Sequence, residues 1–275
     1  MRVSVGKHGF EYPQDKICVD DPRHVIPFIQ EADVIVFMHS SFLALNEYYH
    51  GKRAFVFHGG TAYRQSPRKL NRFFNSFVEG SLIQTFDLWD LGAKNPSWVL
   101  PAVDTDLLQP VYGVPTDGKL VIGHYPSSSF KGTDTILKWA ETIPKDRYEF
   151  KYDPQILPWA ENIERIKECD ILLEACMPDQ GGVRYGFWGV QALEAAALGK
   201  IVASHFFGKQ DYAKAFGPCP IIPTTDLGEL EKFRELLETI SQKDLLAYQS
   251  LFRQWVERFH SYEAVGRRLA NVFRV

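Results

Sequence analysis

The chain has 275 residues, 45% apolar and 24% charged, with a formal net charge of −3. That length accommodates one large or two modest domains. The slightly acidic balance excludes a global basic field for nucleic acid or anionic membrane and leaves only local patches. Cys18, Cys169, Cys176 and Cys219 form no CxxC pair and no metal-ligand spacing, so they read as free thiols of a reducing compartment. The opening MRVSVGKHGF lacks a signal-type apolar core and no run reaches membrane-spanning length; a cytoplasmic protein is expected.

In chain order, DVIVFM (33–38) and RAFVFH (53–58) predict buried strands, each running into a polar or glycine turn, HSS and HGG. SLIQTF (81–86) and SWVLP (97–101) predict two more strands. PAVDTDLLQPVYGVPTDG (101–118) is rich in Pro, Gly and Asp and predicts a linker. Strands are then expected at 119–125, 148–152, 170–175, 200–204 and 220–223, alternating with helices at 132–143, 161–169 and about 188–198, and two or three helices close the chain from Leu227. Strands alternating with helices imply parallel sheets with crossover helices, whose ligands sit at the carboxyl ends of the strands.

Three segments have the chemistry to bind an anion or a sugar. In HYPSSSFKGTDTI (124–136) a strand runs into a serine-rich Lys-Gly loop that opens a helix, so Lys131 and free helix N–H groups could meet a phosphate. The GxxxxGK[ST] spacing is absent, and a solvated turn lysine is an equal alternative. In GVRYGFWGVQALEAAALGKIVAS (182–204) a single carboxylate, Glu194, interrupts an apolar helix that should end at Gly199. Glu194 lies either on a solvated face or against vicinal hydroxyls, as the acidic residue of dinucleotide folds does; Gly186 and Gly189 permit close backbone approach beside Phe187 and Trp188. In FHGGTAYRQSPRKLNRFFN (57–75), His58 and the Gly59–Gly60 turn precede Arg64, Arg68, Lys69 and Arg72, a phosphate- or acceptor-binding strip or a solvated helix face. His39 follows a strand in the same way. Asp104 and Asp106 read as turn acids, and no metal-binding motif stands out.

Taken together, these segments resemble the GT-B glycosyltransferases of the retaining family-4 type, from about residue 33 to the end. ADVIVFMHSS and VFHGGTAYR are similar to that family's first-domain strand and His-Gly loop. SWVLPAVDTDLLQP resembles its interdomain signature, and HYPSSSFKGTD its phosphate loop. CDILLEACMPDQGG…FWGVQALEAAALGKIVAS and WVERFHSYEAVGRRLANVF are similar to its donor motif and closing helix. The resemblance implies an α/β GT-B fold, two Rossmann-like domains with parallel sheets facing across a cleft. It divides the chain into a shortened acceptor domain (1–108), a nucleotide-sugar donor domain (109–258) and a C-terminal helix (259–275) packing back toward the first.

The activity implied is metal-independent hexosyl transfer with retention, from a UDP- or GDP-sugar used as substrate and without a cofactor. Lys131 would neutralise the diphosphate, Glu194 would hold the ribose, and His58 would lie near the donor sugar. Ser128, Ser129, Gly132, Thr133, Trp188, Gly189, Val190 and Gln191 would complete the donor site, with His39, Gly59, Gly60 and Arg64 on the acceptor side. The family's usual pair of Glu residues is incomplete, since Gly186 occupies the first position; Asp179 or Gln180 is then expected to contact the sugar. The acceptor is left open between a glycan, a lipid and a modified nucleic-acid base. A non-catalytic nucleotide-sugar-binding protein and a GT-B sugar-nucleotide epimerase are the alternatives.

Overall fold

The computed structural model describes residues 2–5, 15–18, 23, 26–38, 51–113, 119–176, 179–180, 183–184 and 186–274; of these, the side chains of 2–5, 15–18, 61, 179–180 and 183–184 are outside the description. The described residues divide into two units, one up to Val99 with those from Ala270 onward, the other Leu100–Leu269.

The first unit opens with β1 (Arg2–Val5) and β2 (Asp15–Cys18), a parallel pair, followed by α1 (Ile26–Glu31). Its main sheet is β3 (Val34–Met38), β4 (Arg53–His58), β5 (Gly80–Ile83) and β6 (Pro96–Trp98), all parallel and ordered β3-β4-β5-β6. Aromatic and β-branched residues make β4 a buried central strand, as a sheet covered on both faces requires. Between β4 and β5 lie α2 (Gly60–Gln65) and α3 (Pro67–Phe74), split at Ser66 because Pro67 starts a new helix at its first position. The inward face of α3 carries Asn71 and Phe74, and Arg68, Lys69 and Arg72 face solvent. The strand expected at 81–86 ends at Ile83, because Phe86–Leu88 turns into a 3-10 helix that buries Phe86 and Leu88.

In the second unit, residues 101–113 form no helix or strand, in keeping with a Pro/Gly-rich connection. Arg253 holds this stretch by donating to the carbonyls of Thr105 and Ala197, each at 2.8 Å, and to that of Leu108. Asp104 accepts from the N–H groups of Asp106 and Leu107, a turn acid as expected.

The alternation then runs β7 (Leu120–His124), α4 (Thr133–Ala140), β8 (Tyr148–Tyr152), α5 (Trp159–Lys167), β9 (Ile171–Leu173), a hairpin of β10 (Asp179–Gln180) and β11 (Val183–Arg184), α6 (Val190–Ala197), β12 (Ile201–Ser204), α7 (Lys209–Phe216), β13 (Ile222–Pro223), α8 (Leu227–Thr239), α9 (Gln242–His260) and α10 (Tyr262–Phe273), whose residues from Ala270 belong to the first unit. Five strands form a parallel sheet ordered β13-β12-β9-β7-β8. The chain steps from β7 outward to β8, then crosses back to β9 on the other side of β7. Strand order therefore reverses between β7 and β9, and the crevice at their carboxyl ends is the ligand position of an open parallel sheet.

α6 packs against β12, α5 and α9, and every residue from Ala192 to Ala197 is buried. Its alanines suit it to a helix enclosed on all sides. It ends in a Schellman motif: Gly199 is left-handed (φ +74°), its N–H meets the Ala196 carbonyl at 3.0 Å, and the Lys200 N–H meets that of Ala195 at 2.9 Å.

Candidate functional site

The carboxyl end of β7 places His124 in the core, and that ring fixes the following loop. Its Nδ1 lies 2.8 Å from the Leu173 carbonyl, which can only accept, so Nδ1 carries the proton and Nε2 accepts from the Thr133 hydroxyl at 3.0 Å. Burial pushes the ring down to about 4, so it stays neutral at physiological pH. The loop returns through the 3-10 turn Ser129–Lys131 to Gly132, whose left-handed backbone (φ +70°) caps α4. A side chain there would overlap the Cys176 carbonyl oxygen, and the Cys176 N–H donates to Lys131 O at 3.0 Å. Glycine at 132 thus lets the Lys131 turn lie against the chain leaving β9.

Lys131 meets a carboxylate that the sequence reading passed over. Glu174 directly follows β9, with its side chain fully buried, and forms an ion pair with the Lys131 ammonium. The same oxygen, Oε1, accepts the Gly189 N–H at 3.0 Å, and Oε2 accepts from the Ser204 hydroxyl. Burial alone would push this carboxyl up. The Lys131 charge and the bonds from Lys131, Ser204 and Gly189 outweigh burial and hold it below the ordinary carboxylate value. Gly189 is the N-cap of α6, so one point gathers the turn lysine, the helix N-terminus and the ends of β9 and β12. The available signal was positional: a carboxylate immediately beyond a buried parallel strand lies where ligands bind.

Five residues along α6 from Gly189, Glu194 is only 9% exposed, which rules out the solvated-face alternative. Its Oε1 accepts from the Trp159 indole N–H at 2.8 Å, and no cation pairs with it among the described residues. Burial raises its pKa, against the opposing effect of the Trp159 bond. Beside it, Gln191 reaches Asn162 Oδ1 at 3.4 Å, and Arg165 donates to the same oxygen at 2.6 Å and to Asp153 Oδ2 at 2.9 Å. The Arg165 guanidinium lies 4.4 Å above the Tyr125 ring. Gln191 Oε1 and Arg165 Nε are buried with no hydrogen-bond partner among the described residues. The α5–α6 contact therefore joins Glu194 to Trp159 and Gln191 to Asn162, and the Gln191–Asn162–Arg165 group keeps unused hydrogen-bonding capacity.

The remaining candidates separate. Ser128 and Ser129 are exposed on the Lys131 turn, and Val190 is exposed at the start of α6. Asp179 and Gln180 pair as backbone with Arg184 and Val183 in the β10–β11 hairpin, which packs beside the Lys131 turn; their side chains lie outside the described residues. Trp188, expected to wall the ligand, is instead a core aromatic, 4% exposed. Its ring meets Phe187 at 4.3 Å, Phe206 at 4.6 Å and Tyr212 at 5.4 Å.

In the first unit His58 is 2% exposed and stacks on Tyr63 at 3.9 Å, beside Phe74. The cavity there, lined in part by His58, Gly59 and Tyr63, measures about 40 Å³, room for a water or two but not for a sugar. Gly59 is the N-cap of α2, and Gly60 opens that helix with φ +71°. Arg64 is not a free acceptor contact: its side chain is 7% exposed and its Nε pairs with Asp87 Oδ2 at 2.5 Å, with a second bond to Thr85 at 3.1 Å. His39 lies outside the described residues. Among the described residues no three His, Cys, Asp or Glu side chains assemble as metal ligands, and no helix is long and apolar enough to cross a membrane.

No protein-family model and no curated protein sequence matches the chain. Solved structures do. HepE of Anabaena, in complex with UDP and glucose, superposes with a TM-score of 0.64 at 12% identity, over 94% of this chain and 86% of that one. An alpha-glucosyltransferase bound to UDP-glucose and DNA containing an abasic site gives 0.60 at 10% identity, over 94% and 84%. Sucrose-phosphate synthase from Thermosynechococcus elongatus gives 0.58 at 13% identity, over 96% and 81%. At these identities the likeness establishes architecture, and that architecture is the GT-B glycosyltransferase fold.

Proposed function

We propose that the chain is a retaining glycosyltransferase that takes a sugar from a nucleotide-diphosphate donor, a UDP- or GDP-sugar, without a metal ion. The observation that carries this reading is the convergence of Lys131 and the α6 N-terminus at the strand-order reversal, with Glu194 on the same helix. Helix rise separates residues 189 and 194 by about 7.5 Å, a spacing suited to a diphosphate at one point and ribose hydroxyls at the other. Lys131 and the N–H groups of Val190 and Gln191 face the charge that develops as the sugar–phosphate bond breaks and the diphosphate leaves with the electron pair. Glu194, ionised, accepts from the ribose hydroxyls, and the Trp159 bond fixes its direction. UDP or UDP-glucose bound to the structural neighbours supports the donor class.

The test is thermal denaturation of the chain against UDP, GDP, ADP and their sugars. A ligand at 100 times its dissociation constant stabilises by about 2.7 kcal/mol. A clear rise in Tm with one nucleoside diphosphate is expected, and no rise with any of them contradicts the reading.

A further inference from the structure

Glu174 has no part in the donor contacts assigned above, yet it holds one of their groups, Lys131, and the N-cap of the helix that supplies the N–H groups. Both its oxygens are engaged inside the unit: Oε1 by the Lys131 ammonium and the Gly189 N–H, Oε2 by the Ser204 hydroxyl. A carboxylate gathers these donors as an anionic phosphate oxygen would, before any ligand arrives. It also cancels the lysine's charge, and a neutral pair attracts a diphosphate far less than a bare ammonium does. The ammonium has three N–H donors, and among the described residues Glu174 takes one of them. The fit is close, since a Cβ at residue 189 would lie 2.6 Å from Glu174 Oε1 and 3.1 Å from Lys131 Nζ.

We propose that Glu174 is the internal counter-anion of the diphosphate site: it positions Lys131 and the Gly189 N–H, and by compensating the lysine it weakens the grip on the nucleoside diphosphate, so that the leaving group is released. The proposal rests on the donor reading above and adds to it a residue that limits affinity.

Glu174→Gln removes the charge and keeps the shape. Its carbonyl oxygen still accepts from Lys131 and Gly189, and its amide donates to a Ser204 hydroxyl turned to accept. Wild type and Glu174→Gln are titrated calorimetrically with UDP and GDP at low and high salt. The expected result is binding about tenfold tighter in the variant, or about 1.4 kcal/mol, with a steeper loss of affinity on adding salt. A purely structural role would not produce a gain. Wild-type binding that is equal or weaker in the variant overturns the counter-anion, whereas no binding by either protein overturns the donor reading instead. A ligand-free check uses Lys131→Met, Glu174→Gln and the double variant. Lys131→Met alone strands a buried carboxylate and should melt lowest, and adding Glu174→Gln should restore stability; no restoration overturns the pairing.

Discussion

In the proposed donor site, Glu194 would serve the ligand at the expense of the fold. Its carboxylate is buried with a single neutral donor, so ionisation is disfavoured and its pKa is raised. The sign follows from linkage. Between the unfolded and the raised folded pKa the native state binds more protons, so Glu194 adds stability at low pH and loses it as pH rises. Glu174 runs the other way: its contribution is present above the unfolded value and is lost as pH falls through its depressed folded pKa. Glu194→Gln should therefore gain on the order of 1 kcal/mol at neutral pH, or about 2–4 °C in Tm for a chain of this size. The same variant should bind nucleoside diphosphate at least about tenfold more weakly, the loss of one charge-assisted bond to a hydroxyl. Melting and calorimetry on one preparation check both, and a variant that loses stability without losing affinity contradicts the assignment.

Among the elements, α6 carries most of the site and was the most legible in the sequence. Its alanines, the preceding Gly189 and the closing Gly199 announce a buried, capped helix, and the structure bounds it at Val190–Ala197. Gly199→Ala should cost about 1 kcal/mol or more, because φ +74° disfavours any side chain and a Cβ there would lie 2.8 Å from the Tyr112 ring. Melting should show that loss with nucleotide binding kept, since Gly199 lies at the far end of the helix from Gly189. The strands of both sheets were legible for the same reason, apolar runs bounded by turn residues. The α7 helix and the β10–β11 hairpin were not, because short elements with mixed polarity have no clear period. Glu174 was hidden because DILLEA reads as one continuous strand, whereas β9 ends at Leu173. The polar capacity of Arg64 was visible, but its commitment to Asp87, 23 residues away in sequence, was not. Trp188 was misplaced likewise: an aromatic beside glycines suits a ligand wall and a core equally, and only tertiary packing decides.

At the scale of the whole molecule, the charged groups proposed to hold the donor, Lys131 and Glu194, both belong to Leu100–Leu269. The first unit contributes a buried His58 and, on α3, the exposed Arg68, Lys69 and Arg72. The proposed donor chemistry therefore lies with Lys131 and Glu194 and not with His58. It is tested most directly by nucleoside-diphosphate release from a panel of UDP- and GDP-sugars, with wild type, Lys131→Met and Glu194→Gln compared at matched folded concentration. Wild type should release diphosphate from one donor class, through transfer or slow hydrolysis; Lys131→Met should fall by about 100-fold or more, as removal of a single transition-state donor does, and Glu194→Gln by about tenfold at sub-saturating donor, in step with its weaker binding. Equal release by all three proteins, or none by wild type with any donor, contradicts the account.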